Sequence, residues 1–194
     1  MIRTDSSFAL AIERAVKDAE RGTSAELVVV VAARSGSYLD VALLAGSGAA
    51  LAVLLVALFA PPLFPPWAVA IEVPLVLALA TWLIHHLPAA VRALAPESRR
   101  RRQVERAAAW WFLEEAVHGT RDRTGVLVYV SLLEERVEIV PDLGLSAFVL
   151  AWDRAKSRED VLRGIAAIGA LLKERLPARA GESNELADAP RIVP

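Results

Sequence analysis

Apolar and polar positions alternate with two different periods along this chain, and a stretch with almost no polar positions separates them. In residues 5–21, Phe8, Ala11, Ile12, Ala15, Val16 and Ala19 recur at helical spacing, while Glu13, Arg14, Lys17, Asp18 and Arg21 face away. That spacing predicts an amphipathic helix ended by Gly22. "AELVVVVAA", Ala25 to Ala33, is a short β-branched run bounded by Gly22 and by Ser35-Gly36. A run of that kind predicts a strand covered on both faces.

Two longer apolar runs follow, Val41 to Ala60 and Trp67 to Leu87, and Glu72 is the only charged residue between Asp40 and Arg92. Each is about 20 residues, roughly 30 Å as a helix, enough to cross a bilayer core. Backbone groups in hydrocarbon have no water to bond, so both runs are expected to be helices, turned back at the Pro-rich connector Pro61 to Pro66. Glu72, just before Pro74, is expected at the outer interface, where the second helix starts. Arg14, Lys17, Arg21 and Arg34 precede the runs, and Arg92, Arg99, Arg100, Arg101, Arg102 and Arg106 follow them, while the connector has no basic residue. The positive-inside rule then predicts both termini in the cytoplasm and the Pro-rich connector outside; the chain is expected in a bacterial inner (plasma) membrane. About 40 residues that read as folded precede the first run, unlike a signal peptide.

Beyond the runs, Val104, Ala107, Ala108, Trp111 and Phe112 predict a helix over 97–118. "GVLVYVSLLEERVEIVPDLGL", Gly125 to Leu145, predicts a hairpin: Val126 to Leu132, a turn at Glu134 and Glu135, and a return from Arg136 to Val140, broken by Pro141 and Gly144. A short helix is expected from Ser146 to Ala155. Ser157 caps a last one, with Asp160 completing a capping box and Pro177 closing it. The tail, 178–194, is small, polar and Pro-containing and reads as disordered. One helix and one strand cannot bury a core alone. Residues 5–40 and 97–175 are therefore the two parts of one cytosolic α/β domain, a small mixed sheet flanked by helices, with 41–91 inserted as a transmembrane hairpin.

Composition narrows the chemistry. The 194 residues are 55% hydrophobic and carry a net charge of −1, which gives no bias toward nucleic acid. With no cysteine, disulfides, thiolate metal sites and cysteine nucleophiles are excluded. There is no P-loop, GxSxG or HExxH pattern, and three histidines offer little to a zinc hydrolase.

The element order, with "TSAELVVVV" (Thr23 to Val31) and "TGVLVYVSLLEERVEIVPDLGL" (Thr124 to Leu145), resembles the TPM-domain family, which includes thylakoid acid-phosphatase-like proteins and bacterial membrane proteins. The resemblance covers roughly residues 5–40 and 97–175. It implies a small α/β sandwich with a mixed sheet. By analogy with some members, it also implies acid phosphatase activity or calcium held by carboxylates near strand ends. The chain departs from that pattern in two ways. Typical members carry a signal sequence and expose the domain outside the cytoplasm, and here membrane runs replace the segment after the first strand.

Glu26, Glu134 and Asp142 are the candidate metal ligands, since calcium is held by several carboxylate oxygens. Asp142, between Pro141 and Gly144, is where the resemblance places an acid. The alternative for Glu134 and Glu135 is a solvated turn. Arg136 is expected to fix a carboxylate by bidentate pairing. Arg99, Arg100, Arg101 and Arg102, just past the second run, are expected to meet anionic lipid headgroups. Two function classes follow: a membrane-anchored binding or scaffold module, with a protein partner or as a homo-oligomer, and a metal-assisted phosphatase. The first is preferred, because nucleophile, base and metal shell cannot be assembled from distinct residues.

Overall fold

The valine run forms the strand Glu26–Ala32 (β1), and "GVLVYVS" forms Gly125–Ser131 (β2), both buried along nearly their whole length. They pair in parallel, from Glu26 opposite Gly125 to Ala32 opposite Ser131. Arg136–Pro141 (β3) returns antiparallel to β2. Arg191–Val193 (β4) adds in parallel to the other edge of β1, giving the order β3-β2-β1-β4. The computed structural model describes residues 5–59, 65–145, 152, 154–178 and 185–193.

Successive strand residues point to opposite faces, so a continuous valine run needs cover on both sides. Leu27, Val29, Val31, Val126, Val128 and Val130 meet Phe8, Ile12 and Val16 of Ser6–Glu20 (α1) and Val161, Ile165, Ile168 and Leu172 of a C-terminal helix. On the other face Val28, Val30, Leu127 and Tyr129 meet Val104, Ala108 and Val117. The result is a mixed α/β sheet between helical layers, as the alternation predicts. Asp5 caps α1 by accepting from Phe8 N, and Gly22 at φ +90° turns the chain toward β1. A Cβ at Gly169 would lie 2.5 Å from Ala19 Cβ, so glycine lets the two helices on that face approach closely.

By compactness the chain divides into Met1–Gly36 with Arg101–Pro194, and Ser37–Arg100. The second unit holds Leu39–Phe59 (α2), Pro66–His86 (α3) and Pro88–Leu94 (α4). Helices α2 and α3 are long and apolar enough to cross a membrane, and α3 buries no residue. Ala42, Gly46 and Ala50 are the buried positions of α2. A Cβ at Gly46 would collide with Thr81 Oγ1 and lie 3.1 Å from Leu77 O, which is the close packing that small residues allow between apolar helices. Glu97–Glu114 (α5) runs from this unit into the first, and Arg158–Arg175 (α6) carries the Ser157–Asp160 capping box.

Three expectations change. The tail is not wholly irregular: β4 lies in it, and Leu186 and Val193 pack against the core. Three residues are too few to display alternation, and the bonding groups on the edge of β1 supply what the tail lacks, as in the 2.9 Å bond from Ala33 N to Val193 O. Helix α3 begins at Pro66, so Glu72 and Pro74 both lie within it, and Pro65 and Pro66 occupy the positions where a missing N–H is harmless. The helix expected over 97–118 stops at Glu114, where Ala116 at φ 51° redirects the chain into the 3-10 turn Val117–Gly119. The helix expected at Ser146 falls mostly outside the described residues.

Candidate functional site

The N-terminal ends of β1 and β2 open into a cleft of about 530 Å³, bordered by Glu20, Glu26, Asp122, Glu185 and Asp188, with Lys17, Arg21 and Arg121 among them. Glu20 closes α1, and its Oε1 accepts from Leu27 N at 2.8 Å. Glu26 begins β1, where Oε1 accepts from Glu185 N at 3.2 Å and Oε2 is buried with no hydrogen-bond partner among the described residues. Glu185 Oε2 accepts from Arg121 N at 2.8 Å, and Lys17 Nζ lies 3.8 Å from Asp188. Burial pushes the Glu20 carboxyl up to about 7, aided by Glu26 and Asp188 and opposed by the Leu27 N–H. Burial likewise raises Glu26, against the backbone N–H groups of Glu185 and Leu186.

Three of the four hydroxyls lining the cleft donate to backbone carbonyls, and the fourth, Thr120 Oγ1, accepts from Thr124 N at 3.0 Å. Thr23 Oγ1 donates to Leu176 O at 2.7 Å, Ser24 Oγ to Pro177 O at 3.1 Å, and Thr124 Oγ1 to Ser24 O at 2.9 Å. None of these three donates to a carboxylate or an imidazole, the pairing that would activate an oxygen nucleophile.

Glu134 occupies the opposite end of the sheet. It is 2% exposed. Ser35 N donates to both its carboxylate oxygens, at 3.2 and 3.3 Å, and Ser131 Oγ donates to Oε2. Ser35 Oγ donates to Ser131 Oγ at 2.7 Å and lies 3.1 Å from Tyr129 OH, whose ionisation burial pushes upward. Glu135, at φ 51°, turns the chain immediately after Glu134. The turn is therefore not simply solvated: one of its two acids is buried and holds the backbone of the segment leaving β1.

Asp142 lies at the cleft end of the sheet but outside the cleft. Its N–H donates to Gly125 O at 2.9 Å, its Oδ1 accepts from Leu143 N at 2.8 Å, and Arg123 Nη1 is 3.6 Å from Oδ2. It caps the 3-10 turn Leu143–Leu145. The structure does not bring the three proposed ligands together. Glu26 and Asp142 flank β2 from opposite sides, roughly 10 Å apart at the backbone, and Glu134 lies beyond the far end of β2, roughly 20 Å away. Calcium–oxygen bonds are about 2.4 Å. Among the described residues, no three His, Asp or Glu side chains are grouped to hold a metal ion.

Arg136 lies opposite Ser131, with a buried Nε, and its charge lowers Glu138 against the burial that raises it. In the basic run, Arg99 is held by both Asp40 oxygens at 2.6 and 2.8 Å, and Arg101 by Glu105 at 2.6 Å. Glu20, Glu185 and Asp188 were not foreseen. The place of Glu20 where α1 ends ahead of β1 is a signal that could have marked it. Nothing in the tail's local pattern marks the other two.

No family model matches the chain, and no curated protein matches it. Among solved structures, it is similar to the NMR structure of the BA42 protein from the psychrophilic bacterium Bizionia argentinensis sp. nov.. The match covers 97% of this chain and 94% of that one, with a TM-score of 0.55 at 15% identity. At that identity the likeness is one of fold: a mixed α/β sheet with its helical layers.

Proposed function

We propose that this protein is a membrane-anchored, TPM-like binding or scaffold module of the bacterial inner membrane, with its α/β unit in the cytoplasm. The observation that carries the reading is the state of the cleft. Thr23, Ser24 and Thr124 hold backbone carbonyls, and two of the cleft's carboxylates hold backbone N–H groups of β1 and the tail. A site that performs hydrolysis needs a nucleophile paired with a base, and these groups are spent on architecture. The cleft retains charge of both signs and one unpartnered carboxylate oxygen, a surface suited to recognition. Anchoring is supported by the outward apolar side chains of α2 and α3, Leu44 at 77% and Trp67 at 69% exposure among them. The basic residues on both sides of the hairpin support the orientation.

The test is the full chain purified in detergent and assayed against p-nitrophenyl phosphate, with and without calcium or magnesium. No turnover above the protein-free blank is expected. Metal-stimulated turnover abolished by Glu26→Gln would overturn the reading in favour of a hydrolase. Anchoring is checked separately: the protein should stay with the membrane through alkaline carbonate extraction.

A further inference from the structure

From Arg101 onward, α5 belongs to the α/β unit and buries Val104 and Ala108 against the sheet. At about 100° per residue, Arg102, Arg106, Ala109, Trp110 and Leu113 fall on the side opposite those two. All five are exposed, Trp110 at 54% and Leu113 at 63%. The acids of this stretch, Glu105 and Glu114, fall on the flanks of that face. Glu105 is already paired with Arg101, and among the described residues neither Arg102 nor Arg106 has an ion-pair partner. An indole and a leucine side by side, with two unpaired guanidinium groups one and two turns before them, do not suit a face meant only for water. They suit an anionic lipid surface, where the indole and leucine enter the interface and the arginines meet phosphates.

The covalent link keeps the start of α5 within reach of the end of α3. Residues 87–96 separate the end of the apolar helix α3 from α5, and most of them are wound into α4. Even fully extended they would reach only about 35 Å.

We infer that the outward face of α5, formed by Arg102, Arg106, Trp110 and Leu113, is a second membrane contact that docks the α/β unit onto anionic lipid. The inference rests on the membrane-anchored reading. It differs from a general attraction of the basic run to headgroups, because Arg99 and Arg101 are committed to Asp40 and Glu105. The contact is made by the next two turns and includes apolar insertion.

The chain has no native cysteine, so single cysteines can carry spin labels at chosen sites. Full-length Leu113→Cys, Leu79→Cys (outward on α3) and Leu171→Cys (on α6, across the sheet) are reconstituted in vesicles of phosphatidylcholine with a minority of phosphatidylglycerol. Collisions with oxygen report lipid, and collisions with a nickel chelate report water. The label at 113 is expected to behave like that at 79 and unlike that at 171. Arg102→Gln with Arg106→Gln should weaken docking by roughly 30-fold, at about 1 kcal/mol per basic residue, and lysine at both positions should restore it. If the label at 79 is in lipid while that at 113 is as wet as that at 171, docking is refuted and anchoring stands. If the label at 79 is also wet, both fail. Spin–spin broadening at 113 in dilute vesicles would mean that a second copy covers this face, which overturns the lipid assignment.

Discussion

The two ends of the sheet each hold a glutamate next to a strand, in opposite circumstances. Glu134, after β2, is enclosed, and each carboxylate oxygen accepts a hydrogen bond from Ser35 N. Glu26, opening β1, borders the cleft; one oxygen accepts from Glu185 N, and the other is buried with no partner among the described residues. The residue type is the same, Glu26 on the first residue of β1 and Glu134 three residues past β2, so residue type does not set the role. The segment that crosses over each strand end does: at one end Ser35 brings a backbone N–H and a hydroxyl, and at the other the tail brings the Glu185 N–H together with two further acids, Glu185 and Asp188. A buried carboxylate stabilises where donors converge on it and destabilises where other acids do.

The sharpest way to break this contrast is Glu134→Ala. It strands the Ser35 N–H and the Ser131 hydroxyl in the interior, and should cost about 3 kcal/mol in denaturant unfolding. Glu26→Ala should change stability by less than about 1 kcal/mol. Equal losses at the two positions would mean that the two ends of the sheet hold their glutamates alike.

Removal of residues 185–194 comes next. It uncovers the edge of β1 and takes Leu186 and Val193 off the core, with an expected loss on the order of 2 kcal/mol. Amide hydrogen exchange should then quicken at Ala33, whose N–H bonds Val193 O. Unchanged protection there would mean that the tail does not pair in solution.

Glu20 gives the pH signature of the cleft. Its carboxyl sits at about 7 in the fold against an ordinary 4.5, so the folded protein binds the extra proton between those values. Stability therefore falls as pH rises from about 4.5 to about 7, and the cost is complete above 7. Glu20→Gln keeps an acceptor for Leu27 N and removes the charge. It should stabilise the protein at pH 8 by about 1 kcal/mol after solvent screening, and by nothing near pH 4.5. A uniform gain at both pH values would point to packing instead.

The smallest effect is Glu135→Gly. Its φ of 51° lies in the left-handed region, where glycine is unstrained, so the change should be neutral or stabilising by about 0.5 kcal/mol in thermal unfolding. A large loss would show that the Glu135 side chain itself supports the buried end.

Much of the fold was legible because it rests on periodicity. The valine alternation, the helical spacing from Phe8 to Ala19, the hairpin about Glu134 and the Ser157 capping box each express a local rule, and each appears where that rule puts it. The candidate site was legible only in part. Glu26 was singled out and does line the cleft, but its neighbours Glu185 and Asp188 come from about 160 residues away and follow no pattern. Grouping Glu26 with Glu134 and Asp142 assumed that strand-end acids share an end. The β1–β2 register separates them, because Glu134 follows the last residue of β2 while Glu26 stands opposite its first.

What this sequence determines by itself is which segments are the long helices, which are the three long strands, and which two helices are apolar enough for a bilayer. Those properties depend on residues within a few turns of one another. Only the tertiary structure decides that Glu134 is a dry, hydrogen-bonded cap and Glu26 a wet, crowded acid. A carboxylate's environment is made by whatever the fold lays over it, here Ser35 at one end and the C-terminal tail at the other.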